Sequence, residues 1–496
     1  MSLTSALSVI TSSLIANSSQ SAVVSRNVAN ANTPGYSREI AGLVTTSYGG
    51  VDVALVSRQA NAFLQERASE ATSDAAYHDA VLSGLNALAN TVDDSATVAG
   101  ESNGRSPSAM ISSLRSALQL YASSPGDGTL ASQAVSAASD LTNALNSASA
   151  TVQKTRAQAD SQMAQSVATI NSLLSQFAGA NAAVVAGLHG TGDVASAQDA
   201  RDKILSQLSE QIGITTTTQP DGAMSIYTDS GVTLFQGEPR AAIFNASNTL
   251  GPGDSGNAVV IDGVPVTGAG SPMKSRSGAL AGFASLRDAI APQYQAQLDQ
   301  IAGSLVGAFA ETSRTGGAAG ISIPGLFTAP GLSAPPSADA VTGLAASIQV
   351  AASVDPSRGG HAFLLRDGAI GAPGDNAYSY NVGGGSAFNA RLLQLADGLS
   401  ADRSFGSAGG LSDAANVIDY ANASVGWLQS SALAASQSAT VSSAVATQAT
   451  AALSNGVGVN LDAEMTNMLS IENSYATSAK LLTTVNAMFT ALLNAA

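Results

Sequence analysis

Apolar residues recur with a seven-residue period at both ends of the chain. At the amino end the repeat occupies nine positions, alternately four and three residues apart, seven of them apolar: Leu3, Leu7, Ile10, Leu14, Asn17, Ser21, Val24, Val28 and Ala31. At the carboxyl end it occupies Leu461, Glu464, Met468, Ile471, Tyr475, Ser478, Leu482, Val485, Phe489 and Leu492. Such a repeat places one narrow stripe along a helix, as in a coiled-coil seam. We expect the two ends to pair with each other, with neighbouring copies, or with both; the alternative is that each docks on a globular core.

Helical patterns dominate the amino-terminal half. Short extended runs are expected within residues 40–56, around a turn at Gly49 and Gly50, and a helix over 61–90. Ser106 followed by Pro107 marks a helix start. The predicted core face of that helix is Ile111, Leu114, Leu118 and Tyr121. A long helix follows over 129–185, with a kink expected near Gly179, and then a helix over 195–212 that buries Ile204, Leu205, Leu208 and Ile212.

The pattern changes at Ile214. Residues 214–278 contain short Thr-rich runs separated by turns, which predicts a β insertion. Helix is expected again from Gly278 to about Ser313, followed by a mixed Gly-rich and Pro-rich part over 316–410, with one strand near 348–351 and a short helix near 387–397. From Leu411 onward we predict helix, broken only at 455–458. The predicted fold class is therefore mainly α with a β insertion, in an elongated chain whose two ends lie together.

Composition indicates several domains with weakly charged surfaces. At 496 residues the chain exceeds the roughly 250–300 residues at which single cores stop growing, so we expect three or four domains. Charged residues make up 11% of the chain, where about 25% is usual. Helices with uncharged polar outer faces can pack against copies of themselves without desolvating ions.

Charge and residue counts exclude several classes of function. A net charge of −15 and a pI near 4.4 argue against binding nucleic acid or an anionic membrane, because both require clustered Lys and Arg. Cysteine is absent, so neither a disulfide framework nor a thiolate metal site is expected. We find neither an 18-residue apolar run nor the basic start of a secretory signal. These facts alone predict a cytoplasmic protein.

Two glycine-rich motifs suggest enzyme chemistry, but their context does not support it. Gly253-Asp254-Ser255-Gly256 matches the nucleophile segment of trypsin-like proteases, and the stretch from Gly251 also reads Gly-x-Gly-x-x-Gly. A protease of that type needs an earlier His and Asp in a β-barrel, whereas the preceding histidines lie in helical or loop patterns. A dinucleotide loop should open a helix, whereas here a strand is predicted to follow. We interpret the motif as a turn.

The other candidate catalytic and metal-binding residues are no better supported. Asp-Ser-Gly occurs at Asp229 and Asp254, but two lobes of an aspartic protease cannot be built from so short a spacing. His78, His189 and His361 lack metal-ligand spacing, and His78 lies on an apolar helical stripe. We therefore expect no catalytic residue, no cofactor and no metal site. A secreted hydrolase built around Ser255 stays a remote alternative.

Four segments resemble one family. Residues 27–38, Asn-Val-Ala-Asn-Ala-Asn-Thr-Pro-Gly-Tyr-Ser-Arg, resemble the signature of the flagellar rod, hook and hook-associated proteins, in which a heptad helix ends in a turn before an aromatic residue. Residues 458–488 resemble the closing motif of the family. Asp199-Ala200-Arg201-Asp202 and the segment from Gly278 to Pro292 resemble two interior helices of its hook-associated branch. The signature is expected to end the helix, because Pro34 disfavours the helical conformation at Thr33 and Gly35 can adopt positive φ.

The resemblance implies a structural protein at the junction between the flagellar hook and filament, outside the cell. It implies an inner domain of paired ends (1–38 with 456–496), a helical domain (39–213 with 279–455, including 316–410) and an outer β-rich domain (214–278). The implied partners are copies of the chain in a ring, hook subunits, a second hook-associated junction protein, a cytoplasmic export chaperone and the flagellar type III export apparatus, which would replace a cleaved signal peptide. Nucleic acid and membrane insertion are not implied. A hook or distal rod subunit is the nearer alternative.

Two sets of residues carry these expectations. The predicted packing and signature residues are Leu3, Leu7, Ile10, Leu14, Val24, Val28, Asn30, Asn32, Thr33, Pro34, Gly35, Tyr36, Ser37 and Arg38. The predicted carboxyl-terminal packing and chaperone-binding residues are Leu461, Met468, Ile471, Tyr475, Leu482, Val485, Phe489 and Leu492. Polar seam positions such as Asn17, Ser21 and Ser478 either fix the register or weaken the seam, and Glu464 is interpreted as a first-turn acid that complements the helix dipole.

Overall fold

The computed structural model describes residues 3–47, 49–92, 106–189, 193–247, 249–314 and 320–495. The beginning of the predicted mixed part, 316–319, lies outside these residues, as do the extreme ends of the chain. The α-helices are α1 (Leu3–Asn30), α2 (Ala62–Ala89), α3 (Pro107–Ser123), α4 (Gly128–Leu188), α5 (Val194–Gln211), α6 (Ala279–Ser285), α7 (Ala291–Ala308), α8 (Leu344–Ser347), α9 (Leu364–Asp367), α10 (Ala390–Gly398), α11 (Val417–Val457) and α12 (Leu461–Ala495).

Short strands lie between the helices along the chain. They are β1 (Glu39–Thr45), β2 (Val51–Arg58), β3 (Ile214–Thr218), β4 (Met224–Thr228), β5 (Thr233–Gln236), β6 (Glu238–Pro239), β7 (Ala242–Ile243), β8 (Val260–Ile261), β9 (Val264–Pro265), β10 (Glu311–Thr312), β11 (Ser322–Ile323), β12 (Phe327–Thr328), β13 (Gln349–Val350), β14 (Arg403–Ser404) and β15 (Ala414–Ala415). A π-helix spans Leu286–Ile290, and 3₁₀-helices span Pro356–Arg358, Asn376–Tyr378 and Ser407–Gly409.

The helix α3 shows how local signals set the fold. Ser106 caps it by accepting a hydrogen bond from the Ala109 amide, and Pro107 occupies its first turn, as predicted. All four predicted core residues of this helix are fully buried. The predicted apolar residues of α5 are buried as well, and α5 ends one residue before Ile212. Capping and periodicity therefore located these helices correctly.

The long helix α4 joins two apolar cores. It runs without interruption over 61 residues and passes through Gly179, where a kink was expected. Its first half packs in a core with α2, α3, α7, α10 and α11. Its second half packs in another core with α5, α6 and the strands of the insertion. A single helix thus supports both the helical part and the insertion.

The β insertion is present where the sequence predicts it. Its strands form a four-stranded antiparallel sheet in the order β3-β4-β5-β6 and a three-stranded antiparallel sheet in the order β7-β8-β9. One face supplies buried residues such as Ile226, Leu234 and Val259 to the core shared with α4 and α5. The insertion is therefore packed on helices over its inner face.

The return from the insertion differs from the prediction in two respects. The expected single helix from Gly278 to Ser313 is α6, a π-helical turn and α7, and it ends at Ala308. It ends early because Glu311 and Thr312 pair with Ser322 and Ile323 as β10 and β11. The predicted strand and short helix of the mixed part are β13 and α10.

The carboxyl-terminal helices bring the chain back to its start. Asn416 caps α11, which packs along α2. The break between α11 and α12 covers 458–460, slightly later than the predicted 455–458, because α11 continues to Val457. The helical region begins at Val417 rather than Leu411, because Ala414 and Ala415 pair with β14. α12 then pairs with α1. The predicted fold class, mainly α with a β insertion and paired terminal helices, is confirmed.

Candidate functional site

The two ends of the chain form an antiparallel pair, here called the terminal helix pair (α1 and α12). The Ser13 hydroxyl lies 3.1 Å from the Ser478 hydroxyl. Asn17 and Ser474 exchange hydrogen bonds of 3.1 and 3.3 Å. Since these bonds can form in one alignment only, polar residues in the seam fix the register of the pair. The Ser21 hydroxyl contributes a weaker contact, at 3.8 Å from the Met468 sulfur.

The predicted seam residues face the interior of the pair to different degrees. On α1, Ile10, Asn17 and Val24 are buried, and Leu3, Leu7, Leu14, Ser21 and Val28 are partly buried. On α12, Glu464 and Ser478 are buried, and Met468, Ile471, Leu482, Val485 and Phe489 are partly buried. Leu461, Tyr475 and Leu492 are exposed, although they share the repeat. One chain therefore covers most of the α1 stripe but only part of the α12 stripe.

α12 also exposes apolar residues that lie outside the repeat. These exposed apolar residues are Met465, Leu469, Leu481, Met488 and Leu493. The β1-β2 hairpin beside α1 exposes Ile40, Leu43, Val44 and Leu55 as well. Single exposed apolar residues are ordinary, but large contiguous patches mark sites of interaction. The terminal region thus exposes apolar residues both on α12 and on the β1-β2 hairpin.

The signature turn directs the chain out of α1. α1 ends at Asn30, and the Thr33 amide donates to the Asn30 carbonyl at 2.9 Å. The Tyr36 amide donates to the Thr33 carbonyl at 3.2 Å, and Gly35 has a φ of +81°. A positive φ strains any residue with a side chain, so glycine suits this position. Asn32, Thr33, Pro34 and Gly35 themselves are exposed.

Asn27 is the buried centre of the signature, and sequence reasoning did not single it out. Its side chain is 0% exposed. Its Oδ1 accepts from the Tyr36 hydroxyl and from the Glu39 amide, both at 2.9 Å. Its Nδ2 donates to the Glu39 carbonyl at 2.9 Å and to Glu464 Oε2 at 3.2 Å. The one local signal for Asn27 is a polar residue between Val24 and Val28 on the apolar side of α1.

Tyr36 acts in this cluster as a hydrogen-bond donor. Burial, together with the neighbouring Glu39 carboxylate, raises the pKa of Tyr36 to about 12. The phenol therefore keeps its proton at neutral pH and can donate it to Asn27. Glu39 is itself buried and paired with Arg26 at 2.7 Å. The position of the aromatic ring after the turn is thus fixed by polar contacts.

Glu464 joins the carboxyl end to the signature. It lies in the first turn of α12, as expected, but it is also 1% exposed and pairs with Arg38 at 2.6 Å. The Arg38 amide donates to the Val457 carbonyl at 2.8 Å. Because a buried carboxylate needs charged or hydrogen-bonding partners, Arg38 and Asn27 together determine where α12 begins.

Arg58 joins the signature to α5. Its guanidinium contacts Asp199 at 3.0 Å and Asp202 at 2.5 Å. The Ser37 amide donates to the other oxygen of Asp199 at 3.0 Å. Two of the segments recognised in the sequence, 27–38 and 199–202, are therefore in direct contact. Nothing local in the sequence indicated Arg58, since its carboxylate partners lie more than one hundred residues away.

The other interior segment is a site of close helix packing. The Gly278 amide donates to the Ser73 carbonyl at 2.9 Å, and Gly278 has a φ of +87°. At Gly282, a β-carbon would lie 2.6 Å from the Tyr77 carbonyl and 2.8 Å from the Ala80 β-carbon. Glycine is therefore required where α6 crosses α2, which explains the spacing of this motif.

The motifs that suggested enzymes are turns. The Asp254 amide donates to the Gly251 carbonyl, and Asp254 accepts from the Gly251 amide at 2.7 Å. Asp229 lies in a second turn, where it accepts from Arg276 and Ser277. His78 is partly buried, with its ring edge-on to Tyr77. Within the described part of the chain, no group of acidic and histidine side chains has the arrangement of a metal site, and no helix is long and apolar enough to span a membrane.

Family models of flagellar proteins match three segments of the chain. The family model for the Flagellar hook-associated protein FlgK helical domain matches residues 96–323. The model for the Flagella basal body rod protein matches residues 7–36, and the model for the Flagellar basal body rod FlgEFG protein C-terminal matches residues 452–495. The two rod models therefore fall on the two members of the terminal helix pair. No curated protein sequence matches the chain.

One similar solved structure is the flagellar hook junction protein FlgK from Burkholderia pseudomallei. It is 21% identical, and the match covers 53% of this chain and 46% of that chain, with a TM-score of 0.41. The matched region thus spans less than half of the solved protein. The FlgK helical-domain model covers a little less than half of the sequence, and the two rod-protein models cover the regions of α1 and α12. The chain is therefore similar to the flagellar hook-associated protein FlgK over residues 96–323 and to flagellar rod proteins at its two ends.

Proposed function

We propose that this chain is the subunit of the junction between hook and filament, where copies form a ring on which the filament is assembled. The observation that carries the proposal is the terminal helix pair. Its register is fixed by polar bonds, yet α12 leaves Met465, Leu469, Leu481 and Met488 exposed. Neighbouring copies would bury these residues, so that apolar contact between subunits stabilises the ring.

The proposed domain organisation follows the two ends and the two cores. The inner domain is 1–38 with 456–496, and the helical domain is 39–213 with 279–455. The outer domain is the β insertion, 214–278. The proposed neighbours are further copies of the chain, hook subunits on one side and a second hook-associated junction protein on the other. The site of action is the extracellular flagellum.

We also propose that a cytoplasmic chaperone holds α12 before the chain enters the flagellar type III export apparatus. The proposed chaperone-binding residues are Leu461, Met468, Ile471, Tyr475, Leu482, Val485, Phe489 and Leu492. Several of these residues lie against α1 in the terminal helix pair. A chaperone that binds the same stripe would therefore exclude α1, and the pair would close only after release. Deleting residues 461–496 should abolish the complex; unchanged binding would place the chaperone site elsewhere.

The function is tested by electron microscopy of cells lacking the chain, with the culture medium assayed for filament subunits. Hooks without filaments, together with filament subunits in the medium, are expected. Absent hooks would assign the chain to the rod or hook, and normal filaments would contradict the proposal.

Complementation then tests the terminal helix pair itself. The wild-type chain should restore filaments, and Leu469→Gln/Leu481→Gln/Met488→Gln should not. The matched control is Ile243→Gln/Val382→Gln, which changes apolar residues that are just as exposed but lie in the insertion and in a loop. It should restore filaments. Equal restoration by both variants would show that the exposed residues of α12 are not an assembly surface.

A further inference from the structure

Two buried arginines bind the glycine-rich loop 249–257, the segment whose sequence resembles a nucleotide-binding or protease motif. Arg156, on α4, is 2% exposed, and Arg287, in the π-helix, is 0% exposed. The loop connects β7 to β8 within the insertion. Both arginines belong to the helices that support the insertion. The contact therefore joins the helical part to the insertion through polar groups.

The loop presents carbonyl oxygens to both guanidinium groups. Arg156 donates to the Gly251 carbonyl at 2.8 Å and to the Asp254 carbonyl at 2.5 Å. Arg287 donates to the Asn257 carbonyl at 2.7 Å. Arg156 also donates to the backbone carbonyl of Arg287 at 3.1 Å, which links the two arginines. A planar guanidinium with five donors can hold several carbonyls in fixed directions.

Two carboxylates balance the two charges. Arg287 pairs with Asp160, on α4, and with Asp288 at 2.8 Å. The second oxygen of Asp160 accepts from the amide of Ser247, just before the loop, at 2.7 Å. The cluster thus contains two cations and two anions, and it binds the insertion at both ends of the loop. A buried charge cluster of this kind is weak evidence for added stability, because desolvation of the charges offsets their attraction.

The glycines of the loop match this arrangement. Gly253 has a φ of +85° and forms the turn. A β-carbon on Gly256 would lie 2.4 Å from the Arg287 guanidinium carbon. Gly256 is therefore required for close approach of the loop to Arg287, in the way that a phosphate-binding loop uses glycine to approach its ligand. The Gly-x-Gly-x-x-Gly spacing serves two side chains of the same protein.

We propose that Arg156, on α4, and Arg287, in the π-helix, are positioning residues that hold the β insertion in one orientation on the helices by binding loop 249–257. The competing explanation is that other contacts fix the orientation without them. These are the apolar core around Phe177 and Phe235 and the hydrogen bonds from Asn171, on α4, to the Ala242 backbone. Apolar contact is non-directional, whereas the arginine cluster joins the insertion to the helices through four hydrogen bonds, which define one geometry. The proposal concerns contacts within one chain and stands independently of the proposed function.

The test measures the orientation directly. The chain has no cysteine, so Ala150→Cys on α4 and Ala241→Cys in the insertion, both exposed, can carry a pair of spin labels. Pulsed electron paramagnetic resonance should give one narrow distance. Arg287→Met/Asp160→Asn removes one cation and one anion, so that Arg156 and Asp288 remain and the charges of the cluster still balance, and Gly256→Ala keeps every charge but obstructs the approach. Both should lose the narrow distance.

The matched control is Gly270→Ala, in the insertion, where a β-carbon would meet nothing within 4 Å. It should keep the wild-type distance. A narrow, unchanged distance in both test variants would overturn the proposal in favour of the apolar core and the Asn171 bonds. If circular dichroism shows that the double variant is unfolded, Gly256→Ala decides the question alone, since it removes no hydrogen-bonding group.

Discussion

Arg38 and Glu464 form one ion pair, but substituting Arg38 should destabilise the terminal helix pair more than substituting Glu464. Glu464 is 1% exposed and Arg38 is 26% exposed. Arg38→Ala leaves a buried carboxylate that, among the described residues, keeps one side-chain donor, Asn27, at 3.2 Å. Removing one partner of a buried pair costs about 3–5 kcal/mol, and the partial exposure of Arg38 favours the lower end. Glu464→Gln leaves a hydrogen-bond acceptor and a partly hydrated arginine, at a cost of about 1 kcal/mol.

Hydrogen exchange of backbone amides measures this difference locally, which is appropriate because a multidomain chain has no single unfolding free energy. A loss of about 3 kcal/mol corresponds to roughly 100-fold faster exchange in α12, since each 1.4 kcal/mol is tenfold. Glu464→Gln should accelerate exchange by less than about tenfold. Combining both substitutions should be milder than Arg38→Ala alone, because no buried charge is left.

The control is Arg67→Ala, which breaks an ion pair with Glu70 in which both side chains are 60% exposed. Surface pairs of this kind contribute about 0–1 kcal/mol, so exchange in α12 should not change. The reasoning is refuted if Arg38→Ala and Arg67→Ala have the same effect on α12, or if Glu464→Gln is the more damaging of the two substitutions at the buried pair.

Three further predictions concern other parts of the chain. Asn27→Ala should accelerate hydrogen exchange of residues 31–39 more than Asn30→Ala does, because Asn27 accepts from the buried Glu39 amide whereas Asn30 donates to the exposed end of α1. Equal acceleration by both substitutions would contradict the central role of Asn27. Gly282→Ala should speed hydrogen exchange in α2 and α6, whereas Gly426→Ala, in α11 with nothing within 4 Å of an added β-carbon, should leave exchange in α11 unchanged or slower. Burial raises the pKa of Asp299 to about 6 from 3.8, so the stability that its protonated form contributes is present below pH 4 and lost as the pH rises through 6. Protection of α7 against hydrogen exchange in the wild type should therefore fall relative to Asp299→Asn over that interval, and a constant ratio between the two would refute the assignment.

The sequence by itself determined most local features of the fold. The cap at Ser106, the stop at the signature turn and the apolar periodicities depend on neighbouring residues, so they can be recognised without tertiary structure. The same periodicity identified the stripes of α1 and α12. It could not identify what covers them, because a heptad repeat specifies a face of a helix and not the partner of that face.

Only the tertiary structure decided how the recognised segments are connected. Asn27 and Glu464 are separated by 437 residues, and Arg58 and Asp199 by 141. The π-helix that presents Arg287 likewise has no distinct local pattern. Polar residues reveal their role through a partner, and a partner so distant in sequence leaves no periodic signal. Folding therefore brings the separate sequence motifs together at two sites. One site joins the two chain ends to α5, and the other joins the helices to the glycine-rich loop.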